Sequence, residues 1–214
     1  MNTLLFDLDG TLTDPKVGIT ESVRYAMREM KRPLSPQTNL DWCIGPPLQD
    51  NFARLLNTTE PAQIDQAITF FRERFSTVGL YENELYPDIP NVLTQLQAKG
   101  VRLFVATSKP RVFAEKIISH FELGTFFEVV YGSELNGDLV HKSDLIRHIL
   151  QQEQLSPGAT IMIGDRKHDI IGAKANNLRA AGVSYGYGGD QELNDAMADW
   201  IFHEPTDILQ LVNI

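Results

Sequence analysis

The chain has 214 residues, of which 43% are hydrophobic, and a formal charge of −9. That length holds one large domain or one domain with an insertion, and the apolar share is enough for a sizeable core. With no basic arm or stripe the acidic balance excludes a nucleic-acid polymer as partner, and no run approaches the ~20 apolar residues that span a bilayer.

The first element is a short buried strand over residues 3–8, inside the stretch Leu4-Leu5-Phe6-Asp7-Leu8-Asp9-Gly10-Thr11-Leu12. In a strand, residues i and i+2 point to one side, so Asp7 and Asp9 are expected to face the same way at its carboxyl end. Two carboxylates that close repel each other unless a cation sits beside them, and for an all-oxygen site Mg²⁺ is the expected ion. The acidic, strand-like amino terminus is unlike a secretory leader, and Cys43, the single cysteine, permits no internal disulfide. A cytoplasmic protein with Cys43 as a small core residue is the expectation.

Residues from about 16 to 80 contain no convincing strand. Val23, Met27 and Met30 set a helical spacing over 19–30, and Ile64, Ala67, Ile68, Phe71 and Phe75 repeat it over 64–75. Arg32-Pro33-Leu34-Ser35-Pro36 and Gly45-Pro46-Pro47 separate the pieces. After Tyr86-Pro87 helices and strands alternate. A helix is predicted over 89–99, a strand over 101–107, a helix over 110–121 and a strand over 127–131. A helix follows over 142–152, a strand over 160–164 and a helix over 169–176, and short strands lie over 180–185 and 200–202. Such alternation means a parallel sheet covered on both faces. The expected architecture is therefore α/β, with residues 1–15 and 84–214 forming a three-layer Rossmann-like core and residues 16–83 an inserted all-helical cap that gates solvent and substrate.

Ligands of such sheets bind at the carboxyl ends of the strands. The first strand delivers Asp7 and Asp9 there, and the second ends in Thr107-Ser108-Lys109. The helix after the third begins near His141-Lys142-Ser143, and the fourth ends in Gly164-Asp165-Arg166-Lys167-His168-Asp169. Four acids, a hydroxyl, a lysine and loop N–H groups suit phosphoryl transfer. Taken singly, each has a plainer reading: Thr107 or Asp165 as a helix cap, Lys142 as a surface lysine, and His168 as a solvated loop histidine. His120, His141, His148 and His203 show no metal-binding spacing.

These four segments, in this order and spacing, resemble the haloacid-dehalogenase-like superfamily of phosphohydrolases along the whole chain. Within it the chain looks most like the members with a small helical cap and the phosphoglycolate-phosphatase and 5′-nucleotidase-like group. The resemblance implies a Mg²⁺-dependent phosphatase acting on a small soluble phosphomonoester through an aspartyl-phosphate. Asp7 matches the nucleophile and Asp9 the acid/base. Thr107 and the Ser108 N–H match the groups that bind a phosphoryl oxygen, and Lys142 the cation pairing nucleophile and phosphate. Asp7, Asp165, Asp169 and the main-chain carbonyl of Asp9 match the metal site. The alternatives are a sugar-phosphate mutase of the same superfamily and a catalytically silent binding module. A dehalogenase would lack the acid at Asp9.

Arg166 and Lys167 stand where many relatives carry Ser or Thr followed by varied residues. They either offset the acids' repulsion or hold a charged substrate. The loop from Cys43 to Leu48 resembles the loop that faces the active site in capped relatives, and Lys16, Arg24, Arg28 and Arg54 are candidate substrate contacts. Tyr185-Gly186-Tyr187-Gly188-Gly189 reads as a flexible, aromatic-rich loop near the sheet's functional edge, or more plainly as a connector. No membrane partner is expected, and the expected assembly is a monomer or homodimer.

Overall fold

In the computed structural model, residues 2–213 are described. The chain divides into two compact units, one comprising residues 1–14 and 85–214, the other Pro15–Glu84. In chain order, β1 (Thr3–Phe6) and β2 (Thr13–Asp14) precede the second unit. That unit holds α1 (Lys16–Glu29), a 3-10 turn at Asp41–Cys43, α2 (Leu48–Leu56), α3 (Pro61–Arg74) and a π-helical turn at Phe75–Gly79. The chain returns through β3 (Glu84–Leu85), which pairs with β2. There follow α4 (Ile89–Ala98), β4 (Arg102–Pro110), α5 (Arg111–His120), β5 (Val129–Ser133) and α6 (Lys142–Gln152). The rest is β6 (Thr160–Gly164), α7 (Lys167–Lys174), β7 (Arg179–Val183), α8 (Gly189–Asp195), β8 (Trp200–Phe202) and a closing 3-10 stretch at Pro205–Asn213.

The main sheet has six parallel strands in the order β5-β4-β1-β6-β7-β8. β1 is central, pairing Phe6 with Val105 of β4 and with Ile163 of β6. All four of its residues are buried, as a strand covered on both faces must be. Leu5, Phe104, Ala106, Met162 and Ala180 from four neighbouring strands pack with Leu145, Ile146 and Ile149 of α6 and Ile170 and Ala173 of α7. After β1 the chain builds outward first through β4 and β5, then on the other side through β6, β7 and β8. The strand order thus reverses at β1, and the crevice at such a reversal is where α/β sheets take ligands.

In the helical unit the apolar spacing read over 19–30 becomes the buried face Ile19, Val23, Ala26 and Met27 of α1. On α3, Ala67, Ile68 and Phe71 are buried, and Phe71 stacks on Phe75 at 5.2 Å between ring centroids. Phe52 of α2 meets Phe71 edge-on at 6.2 Å. α2 has no counterpart in the sequence reading, because Gly45-Pro46-Pro47 argued for a break and its nine residues are short.

Candidate active site

β1 ends at Phe6, two residues short of the expected strand over 3–8. Asp7 and Asp9 therefore lie beyond the strand, and the i, i+2 rule does not hold them on one side. Asp7 still continues the sheet, donating its N–H to the Ile163 carbonyl at 2.8 Å. The chain then turns through Gly10, whose φ of +81° suits glycine, and a Cβ there would lie 2.1 Å from Oδ2 of Asp165. The two aspartates take different partners. Asp7 joins Asp165 and Asp169, each offering a carboxylate oxygen within 4.8 Å of the others. Asp9 turns to Lys109, whose Nζ donates to its Oδ1 at 2.8 Å and to its Oδ2 at 2.5 Å. Each of the two carboxylates thus has a lysine partner, Lys142 for Asp7 and Lys109 for Asp9.

β4 supplies Lys109. The strand runs on to Pro110 instead of stopping at Thr107, with a register shift between Thr107 and Pro110. A bulge of this kind re-aims side chains at the end of a strand. It buries the Thr107 side chain, whose hydroxyl accepts the Lys109 N–H at 3.2 Å. Thr107 caps no helix, since α5 begins four residues later. Ser108 is half-buried, and its carbonyl accepts the Ser133 hydroxyl at 2.8 Å. Sequence reasoning counted Lys109 in the inventory without giving it a partner. The available signal was a lysine at the end of a strand beside the strand that delivers two acids.

Lys142 opens α6 and is 5% exposed. Its ammonium lies 2.9 Å from Oδ1 of Asp7 and 2.6 Å from Oδ1 of Asp169, and donates to the Ala106 carbonyl at 2.7 Å. Those contacts match its three donors. Burial by itself would lower its pKa, but the Asp169 and Asp7 carboxylates outweigh burial and raise it, so the charge is secure. Asn176 ties α7 to the start of α6 by donating to the Ser143 and Gly172 carbonyls at 2.8 and 2.9 Å, which holds Lys142 and Asp169 together.

Asp165 follows β6 directly, and Asp169 sits in the first turn of α7, where its Oδ2 accepts the Arg166 N–H at 3.1 Å. Asp165 is wholly buried. Its Oδ2 accepts the Tyr187 N–H at 2.8 Å, and its Oδ1 has no hydrogen-bond partner among the described residues. Burial first, and then the charges of Asp169 and Asp7, hold its carboxyl well above the usual range. Burial, against Lys142 and aided by Asp7, pushes Asp169 up to about 6. Three carboxylates against one ammonium leave two negative charges with every acid ionised. A divalent cation balances that charge and gives the orphaned oxygen a ligand bond, so the donor set fits a hard, oxygen-seeking ion.

The remaining candidates separate. Arg166 is buried and its guanidinium engages Glu192 of α8, with Nε at 2.9 Å from Oε1 and Nη2 at 3.3 Å from Oε2. Lys167 is exposed, while its N–H also reaches Glu192 at 2.9 Å. His168 is half-buried, and burial followed by the neighbouring cations Arg166 and Lys167 lowers its pKa. In the helical unit Lys16 pairs with Asp41 at 2.9 Å, and Arg24 donates to the carbonyls of Ser35, Pro36 and Thr38. Arg28 lies over the Tyr25 ring at 5.3 Å and Arg54 over the Trp42 ring at 4.0 Å. Cys43 is buried and its thiol is pushed up to about 12, mainly by burial. The Tyr185–Gly189 segment, read from sequence as a loop near the sheet's functional edge, bonds to Thr11 and Asp165.

The sequence profile of a family described as haloacid dehalogenase-like hydrolase matches residues 4–183. A 5′-nucleotidase of Pseudomonas aeruginosa is 44% identical over 203 residues, covering 95% of this chain and 88% of its own. A protein named tyrosine-protein kinase PtkA, from Mycobacterium bovis, is 34% identical over 95% of this chain and 69% of its own. A phosphoglycolate phosphatase of Colwellia psychrerythraea is 27% identical, covering 96% and 94%. The crystal structure of a predicted phosphatase from Clostridium acetobutylicum superposes with a TM-score of 0.95 at 38% identity, over 100% of this chain and 99% of that one.

Proposed function

The chain belongs to the haloacid dehalogenase-like hydrolase family and is a phosphatase of that family, and on that premise we propose that it hydrolyses a small soluble phosphomonoester with Mg²⁺ through an aspartyl-phosphate on Asp7. The observation that carries this reading is the buried cluster of Asp7, Asp165 and Asp169, with Lys142 bound to Asp7 and Asp169 and Asp9 paired with Lys109.

Asp7 is the nucleophile. Lys142 and the Leu8 N–H, the latter at 2.7 Å, both engage its Oδ1, which leaves Oδ2 for the attack. An oxygen–phosphorus bond forms there as the ester oxygen leaves, and Asp9 gives that oxygen a proton. Burial raises the Asp9 pKa against the pull of Lys109, which suits an acid that must hold a proton before giving it up. In the second half Asp9 takes a proton from the water that attacks phosphorus, and Asp7 is released with inorganic phosphate. Thr107 binds a phosphoryl oxygen: its hydroxyl already accepts from Lys109 and so keeps its own proton to donate. The Ser108 N–H serves the same group of oxygens, and Lys142 offsets their charge. Asp7, Asp165, Asp169 and the main-chain carbonyl of Asp9 would hold Mg²⁺, which when bound supplies positive charge at the phosphoryl oxygens.

A nucleoside 5′-monophosphate leads as substrate, on the 44% identity to a 5′-nucleotidase, with a phosphoglycolate-like ester second at 27%. The helical unit is read as a cap that sets this choice, in a cytoplasmic monomer or homodimer. Phosphate release from p-nitrophenyl phosphate should require Mg²⁺ and stop with EDTA, and Asp7→Asn should abolish turnover with the fold intact. Metal-independent release, or an active Asp7→Asn variant, overturns the proposal. A panel of phosphorylated metabolites then ranks the substrates.

A further inference from the structure

We propose that Tyr187 is a positioning residue for Asp165, acting as a strut between that acid and Asp14 at the end of β2. This rests on the reading of Asp165 as a metal-site acid and adds a residue that the reaction chemistry does not name.

Several contacts of the loop after β7 fall on the segments that carry the acids. The Tyr187 N–H holds Oδ2 of Asp165 at 2.8 Å, and its phenol donates to Oδ1 of Asp14 and also hydrogen-bonds the Tyr86 side chain. Two residues earlier, the Tyr185 hydroxyl donates to the Thr11 carbonyl at 2.9 Å, and its ring meets Tyr86 edge-on at 4.8 Å. Between them, Gly186 lets the backbone press in: a Cβ there would lie 2.3 Å from the Gly10 carbonyl oxygen and 2.4 Å from Cβ of Asp165. The Asp165 carboxylate is therefore wedged between Gly10 and Gly186 and pinned through one oxygen, while the other oxygen has no partner in a fully buried setting. A flexible connector has no need of these contacts. A loop that fixes which carboxylate oxygen stays available does, because outer contacts of this kind orient metal ligands. The tyrosine ring supplies the lever: the hydroxyl is fixed on Asp14, so the N–H of the same residue is fixed on Asp165.

The test is Mg²⁺ binding to the whole chain by calorimetry, with kcat and KM for p-nitrophenyl phosphate alongside. Tyr187→Phe keeps the ring and loses only the hydroxyl. It should weaken Mg²⁺ about tenfold, within the range for outer-shell contacts, and lower kcat at limiting Mg²⁺ while saturating Mg²⁺ restores it with KM little changed. Asp14→Ala should weaken Mg²⁺ as well, and the two substitutions together should cost clearly less than the sum of their separate effects. Unchanged Mg²⁺ affinity in Tyr187→Phe overturns the strut. So does an effect of the two substitutions that simply adds, or a loss of kcat that Mg²⁺ does not repair. Absence of Mg²⁺ binding in the unsubstituted protein would instead overturn the proposed metal site, and so separates the two failures.

Discussion

Lys142 shows how much of the site one residue organises. It is buried, it meets Asp7 and Asp169 at once, and its third donor goes to the Ala106 carbonyl. Removing one member of a buried charge set leaves the others unpaired, typically at a cost of 3–5 kcal/mol. Lys142→Met should therefore lower kcat at least ~10³-fold, as charge stabilisation at phosphorus is lost, and destabilise the metal-free protein by about 3 kcal/mol at pH 8. The stability loss should shrink toward pH 5, because Asp169 sits near 6 even with its lysine present and takes up a proton more readily without it. Denaturant melts at the two pH values check this, and an equal loss at both would refute it. Lys142 was legible in the sequence only through the joint pattern; alone it reads as a surface lysine. Lys109 was less legible, because its contact with Asp9 depends on a bulge that no periodicity announces.

At the level of elements, the long periodic segments were readable and the irregular ones were not. α6, β6 and β8 fall where the pattern puts them, since apolar spacing and burial agree there. α7 begins at Lys167 rather than Asp169, because Arg166 serves as its cap residue and Asp169 falls in its first turn. α8 is short, with only Leu193 buried, so its apolar signal is faint. Yet α8 gives Arg166 a partner that the sequence did not name: Glu192 engages the guanidinium and also takes the Lys167 N–H. The side chains of the pair are only 10% and 23% exposed, so solvent screens them weakly. Arg166→Ala should cost about 1.5 kcal/mol, the lower end for hydrogen bonds to charged groups, and leave KM for p-nitrophenyl phosphate unchanged. A raised KM with unaltered stability would return Arg166 to the substrate.

For the whole molecule, the telling feature is that an acidic chain gathers three acids in its interior, two of them bound to Lys142. Protons and a divalent cation compete for those oxygens. Asp169 holds its proton up to about 6 and Asp165 to a pH well above the carboxylate range, both chiefly through burial. A carboxyl whose pKa is higher in the folded chain than in the unfolded one stabilises the fold below the unfolded value, and that stabilisation is lost as pH rises through the folded value. In the metal-free protein the contribution of these acids should therefore be full near pH 4 and decline through pH 6 and above. Mg²⁺ acts in the opposite direction, since it binds the ionised acids and must displace their protons. Excess Mg²⁺ should stabilise the protein by about 2.7 kcal/mol at one hundred times its dissociation constant. The resulting rise in melting temperature at fixed Mg²⁺ should be largest near pH 8, fall steadily below pH 6.5 and vanish near pH 4.5. Calorimetry at pH 7 should register protons released on Mg²⁺ binding. A Mg²⁺-induced shift that stays constant from pH 5 to pH 8 would mean that the ion is not bound by these buried acids.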